Sequence, residues 1–108
     1  MNKTVNVYDL LNDSEPISEE SGLKLYDKIN CLRNEECSEI IIIDFSQIDG
    51  LTTAFVNNSI GKLVREEGIL NVKDYLRLGN VKGELKHIFN YSLALAQAKY
   101  DSEHPKEW

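Results

Sequence analysis

The sequence predicts an α/β fold, ordered strand, helix, strand, helix, strand, helix, with three main helices on a mixed, mostly parallel sheet. Three observations carry that expectation. The run Ile40-Ile41-Ile42-Ile43 is apolar without a break, too short for a helix and too continuous for a half-exposed strand. It reads as a strand buried on both faces, all four side chains included. Apolar residues recur at helical spacing on either side of it, and Gly, Asn and Asp punctuate the stretches between. Strands and helices alternating at this spacing call for right-handed crossovers, with the first strand free to run antiparallel.

Each element has its own signal. In Thr4–Leu10, Val5 and Val7 alternate with Asn6 and Tyr8, as in a strand with one buried face. Asn12-Asp-Ser-Glu-Pro16 is a turn by composition. Ser18 then caps a helix whose first turn holds Glu19 and Glu20, and whose stripe runs through Leu23, Tyr26 and Ile29 to about Leu32. Gly22 weakens that first turn. Residues 34–38 connect to the central strand, Glu39–Phe45. A second helix is expected from Thr53 to Glu67, with Val56, Ile60, Leu63 and Val64 on one face and Gly61 permitting close approach to the sheet. Gly68 is its C-cap and Arg65 suits its last turn. Leu70–Leu78 reads as the third strand, ended by Gly79-Asn80. Asn80 would cap a final helix from Val81 to about Tyr100, with Val81, Leu85, Ile88, Ser92 and Leu95 on one face, widened by Phe89, Leu93 and Ala96.

A chain of 108 residues supports one domain, expected over residues 1–100 with a polar tail at 101–108. Twelve Lys and Arg against eighteen Asp and Glu give a net charge of −6. That balance disfavours nucleic acid and anionic membranes as partners. No apolar run approaches the roughly 18 residues of a membrane span, and Met-Asn-Lys-Thr-Val lacks the apolar core of a secretory signal, so a cytoplasmic protein is expected. There Cys31 and Cys37 stay reduced. Neither these cysteines nor His87 and His104 stand at metal-ligand spacing, and no metal or other cofactor is expected.

The chemistry centres on the passage from the central strand to the second helix. The strand stops at Asp44, crosses a polar turn containing Asp49, and delivers the hydroxyls of Thr52 and Thr53 to a helix N-terminus. Exposed amides and a positive dipole end favour phosphate there. Two readings stand open: a threonine serves as an N-cap, or Thr53 is a phosphoacceptor whose added charge bonds backbone amides or disrupts an interface. Asp44 and Asp49 flank the turn without a converging His, Cys or Gly-rich phosphate loop, and read as carboxylates making local turn bonds. Asn57 and Asn58 are odd one turn into a helix, where Asn competes with backbone bonding. With Phe55 and Asp49 they are the candidate partner contacts.

Three stretches resemble the STAS superfamily, the sulfate-transporter and anti-sigma-factor-antagonist domains: Ile17-Ser-Glu-Glu-Ser-Gly-Leu23, Ile42-Ile-Asp-Phe-Ser-Gln-Ile48 with Leu51-Thr-Thr-Ala-Phe55, and Leu76-Arg-Leu-Gly-Asn80. The pattern is more similar still to the bacterial STAS-like family of unknown function. In antagonists the turn reads apolar-Asp-Ser-Ser-Gly, and a partner kinase phosphorylates the first Ser. Thr52 stands at that Asp, Thr53 at the phosphorylated Ser, Ala54 at the second Ser and Phe55 at the Gly. Thr53 alone keeps its chemistry, whereas the Thr-Ala-Phe form is typical of the STAS-like family. The resemblance implies a STAS-like fold and a non-enzymatic regulatory protein-interaction module. Its implied partner is a histidine-kinase-like ATPase acting on Thr53, or on Thr52. The alternative is a small-molecule or nucleotide-binding domain that seats an anion at the same helix N-terminus. A small enzyme lacks a converging catalytic set.

Overall fold

The chain crosses a three-stranded sheet three times in the same direction. The computed structural model describes residues 2–35 and 40–105, so Cys37, the strand start at Glu39 and residues 106–108 lie outside the described residues. Strand β1 is Lys3–Asn6, followed at once by helix α1, Val7–Leu11. Helix α2 is Glu19–Glu35 and strand β2 is Ile41–Asp44. Three short helices follow: α3 Thr53–Asn57, α4 Ile60–Glu67 and α5 Ile69–Lys73. Strand β3 is Leu76–Gly79, and a 3-10 turn at Gly83–Leu85 leads into α6, Lys86–Glu103.

The sheet order is β1-β2-β3 and both pairings are parallel, so the first strand does not reverse. Because each crossover steps the same way across the sheet, right-handed connections put their helices on one side. Register and burial agree. Val5, Ile43 and Leu78 lie side by side on the inner face, next to Ile41 and Leu76, and all but the partly buried Leu78 are buried. The outer face carries Thr4, Ile42 and Arg77, of which the first and last are exposed. This corrects the expectation of four buried isoleucines. Ile41 and Ile43 are buried, Ile40 and Ile42 only in part, since the helical layer covers one face.

Local chemistry explains where other elements depart from their sequence patterns. The first strand ends early because the Asn6 side chain accepts from Asp9 N at 2.9 Å, capping α1. In α2 the buried positions are Gly22, Leu25 and Ile29, with Tyr26 and Leu32 packed partly against the core, so of the expected stripe only Leu23, 40% exposed, turns outward and Leu25 takes its place. Ser18 does cap this helix, its hydroxyl accepting from Ser21 N at 3.1 Å. The second helix is broken in two. Ser59 Oγ donates to Phe55 O at 2.8 Å, taking the carbonyl that Ser59 N would use in a continuous helix, and Ser59 N turns to Val56 O, while Asn58 Nδ2 adds a second bond to Ala54 O at 2.8 Å.

The expected strand from Leu70 is helix α5 instead. Gly68, at φ 87°, redirects the chain, Val72 N donates to Gly68 O, and Asn71 Nδ2 donates to Glu67 O. Ile69 and Val72 pack inward three residues apart, a helical rather than a strand spacing, and Leu70 is 76% exposed. Asn80 sits in the left-handed region at φ 58°, and regular α-helix resumes only at Lys86, running past Tyr100 to Glu103. That helix buries Phe89, Ser92 and Ala96, after Leu85 of the 3-10 turn, with Leu95 47% exposed, so its inward stripe excludes Leu95. Arg33 ties the layers together: it pairs with Glu67 at 2.7 Å and lies over the Tyr75 ring at 3.9 Å.

Candidate functional site

The turn after β2 is anchored by its apolar members. Phe45 and Ile48 are fully buried, and the Phe45 ring meets Phe89 of α6 edge-on at 5.2 Å. Between these anchors the polar residues turn outward. Asp49 N and Gly50 N both donate to Ser14 O, at 2.8 and 3.3 Å, which binds this turn to the loop before α2.

Thr52 caps α3. Its backbone is extended, its Oγ1 accepts from Phe55 N at 3.3 Å, and its hydroxyl donates to Ile17 O at 2.8 Å. The capping role therefore belongs to Thr52, and Thr53, the first residue of α3, is exposed. Asn57 stands one turn further along α3, at the spacing that puts two residues on the same helix face, and is exposed as well. Asn58 is half-buried by its bond to Ala54 O.

Phe55 needs correction as a partner contact. It is fully buried, because α3 turns that side chain into the core. A side chain at Gly22 would collide with the Phe55 carbonyl, so α2 lies directly against this turn of α3. Asn57 and Asn58 line a groove of about 420 Å3 with Gly61, Arg65, Ala96 and Lys99, between α4 and α6.

The two carboxylates of the turn have separate partners. Asp44 accepts from Asn80 Nδ2 at 3.0 Å, from Ser46 N at 3.0 Å and from Asn6 Nδ2 at 3.4 Å. The Asn80 amide chiefly, with the Ser46 N–H, holds its carboxyl below the usual range, against the opposing effect of partial burial. The Ser46 bond is the local turn bond expected of Asp44; Asn6 and Asn80 come from the ends of β1 and β3. Asp49 pairs with Lys82 at the surface, and that hydrogen bond raises the lysine above its ordinary value. Among the described residues no three His, Cys, Asp or Glu side chains group as a metal site. Within the same residues no helix is long and apolar enough to cross a membrane.

Sequence reasoning missed Asn80, Asn6 and Lys82 as members of this cluster. The signal was present for Asn80, since Asn is among the few residues that tolerate positive φ after a strand-ending glycine.

No curated protein and no solved structure matches the chain. Residues 21–83 match the family described as a STAS-like domain of unknown function. That stretch opens in α2, spans β2, the Thr52–Thr53 turn and β3, and takes in more than half of the sequence. The chain therefore belongs to the STAS-like domain family DUF4325.

Proposed function

We propose that this chain is a non-enzymatic regulatory module that binds a protein partner through the exposed face of α3, with Thr53 as a phosphorylation switch. The observation that carries this reading is the division of labour between the two threonines: Thr52 takes the cap, and Thr53 keeps an exposed hydroxyl in the first turn of the helix. A cytoplasmic partner with a histidine-kinase-like ATPase fold and serine/threonine kinase activity would move the γ-phosphoryl of ATP to Thr53 Oγ1, releasing ADP and a proton. The phosphate adds about −1.5 to −2 charge to a face shared with Asn57. A partner seated there would then face desolvation and repulsion, and release. The anion-seat reading has less support, because the Phe55 amide is already engaged by Thr52 and α3 has only five residues.

The test is co-purification from the native cell, followed by mass spectrometry of partner and modification. With the isolated partner, Thr53→Glu is expected to bind more weakly than wild type. Thr53→Ala is expected to bind normally but to lose sensitivity to ATP. If both variants bind like wild type with and without ATP, Thr53 is not a switch.

A further inference from the structure

A groove runs along the outer edge of β3, and its chemistry is unlike that of the rest of the chain. Ile41 N donates to Tyr75 O at 2.7 Å and Phe45 N to Gly79 O at 2.9 Å, so the odd-numbered residues of β3 face β2. Strand alternation then turns the backbone N–H and C=O groups of Leu76 and Leu78 to the opposite edge. Since β3 is last in the sheet order, no strand among the described residues meets that edge. Beside it, on the helical side, lie two cavities of about 460 and 400 Å3 that adjoin through Leu78 and Leu93. The larger is floored by Ile60, Ile69 and Val72, and the smaller by Val81 and Phe89.

The groove's charge is the second observation. In a chain of net charge −6, the side chains lining these two cavities include Lys73, Arg77 and Lys86 and no carboxylate. Arg77 lies over the edge itself, donating to Leu76 O at 2.9 Å and to Lys73 O. It occupies an acceptor that an added strand would need, which is how edge strands are kept from casual pairing. A carboxylate on an incoming segment would draw the guanidinium outward and free the Leu76 carbonyl.

We infer that the β3 edge accepts an extended acidic-apolar peptide from a protein partner, added as a fourth strand. Alternate apolar side chains enter the groove, and the intervening carboxylates meet Arg77 on the outer face, where Arg77 stands level with Ile42 and Thr4. Charge decides against a second copy of this chain. Two-fold antiparallel pairing of β3 with itself, in the register that sets Leu76 against Leu78 of the other copy, would put Arg77 opposite its own counterpart, and like charges opposite each other destabilise a strand pair. This site shares no lining residue with Thr53 or Asn57, so the inference stands apart from the switch reading.

The experiment is an NMR titration of the 15N-labelled full chain, with no ATP or kinase present. The probes are acetyl-Glu-Val-Glu-Ile-Glu-Val-amide, its Lys-for-Glu counterpart, and a Glu form N-methylated at alternate amides. The Glu peptide is expected to shift the Leu76 and Leu78 amides, and the Lys peptide to bind at least about tenfold more weakly. Methylation that blocks the strand bonds is expected to abolish the shifts, and Arg77→Glu, at an exposed position, to invert the preference between the two peptides. Equal binding of the Glu and Lys peptides overturns the inference, as do shifts confined to other residues or no shift at millimolar peptide. Shifts of the same amides on raising protein concentration alone would name a second copy as the occupant and overturn it too.

Discussion

Gly22 of α2 lies against the backbone of α3: a Cβ at this position would stand 2.6 Å from the Phe55 carbonyl oxygen and 2.9 Å from Asn58 Cβ. Neither neighbour is the free end of a flexible side chain. In an open helix, alanine would be favoured over glycine by about 1 kcal/mol. Here the forced separation of the two helices outweighs that gain. Gly22→Ala is expected to destabilise the protein by about 1–3 kcal/mol, read from urea denaturation. A more stable variant would show that α2 and α3 tolerate separation.

The one-sided sheet makes a sharp contrast between neighbours on β2. Ile43 is fully buried and Ile42 only partly. Ile43→Ala is expected to cost about 2–5 kcal/mol, the range for a buried large-to-small change. Ile42→Ala, facing outward, is expected to cost about 1 kcal/mol. Equal losses in chemical denaturation would mean that both faces are covered in solution.

The two threonines should separate in the same assay. Thr52→Ala removes the acceptor for Phe55 N and the donor to Ile17 O, for an expected loss of about 1 kcal/mol. Thr53→Ala is expected to change stability by less than about 0.5 kcal/mol, as befits an exposed side chain without the capping role. The reverse order would return the cap to Thr53.

Asp44 supplies a pH dependence. Its carboxyl titrates below the ordinary carboxylate range because the charged form is hydrogen-bonded, first by Asn80. A depressed folded-state pKa stabilises the fold above the unfolded value, and that contribution is lost as pH falls through the folded value. Asn80→Gly keeps the positive φ while removing the amide. It is expected to move the Asp44 titration upward in a carboxyl-detected NMR series. An unchanged midpoint would assign the depression to Ser46 and Asn6 instead.

With a net charge of −6, the chain is expected to bind neither DNA nor RNA at physiological salt. Fluorescence anisotropy against duplex and single-stranded oligonucleotides checks this. A salt-sensitive Kd tighter than about 10⁻⁶ M would show that the basic rim of the β3 groove outweighs the net charge.

The α/β class, the central place of β2 and the strand–turn–helix around Thr52 were legible because each depends on near neighbours in sequence. The apolar run at Ile40–Ile43 announced a strand, and Asp44 ended it where expected. How many faces that strand buries was not legible, because it depends on the direction of both crossovers. The split between α3 and α4 hinged on Ser59, a buried hydroxyl bonded to Phe55 O, which reads in sequence as one more tolerated helix residue. Residues 69–73 misled because Ile69, Leu70 and Val72 satisfy strand composition as readily as helical spacing, and the Gln97 side chain that accepts from Ile69 N at the start of α5 is a tertiary contact. At the site, the hydroxyl-bearing pair was legible. The inward turn of Phe55 was not, since it follows from how Gly22 lets α2 lean on α3.

The interruption at Asn58–Ser59 changes what kind of mechanical object α3 is. An unbroken helix from Thr53 to Glu67 would act as a beam, delivering any push at its tip to the far end near Gly68. A five-residue segment is closer to a hung tile, fixed by the Phe55 side chain beneath, by Thr52 to the Ile17 carbonyl at one side, and by Asn58 at its trailing edge. Its rigid supports are α2 and α6, and the loop at Ser14–Ile17 shares its fastenings through Asp49, Gly50 and Thr52. A load applied at Thr53 therefore tilts the tile and tugs the entrance to α2, while α4 stays seated on α6.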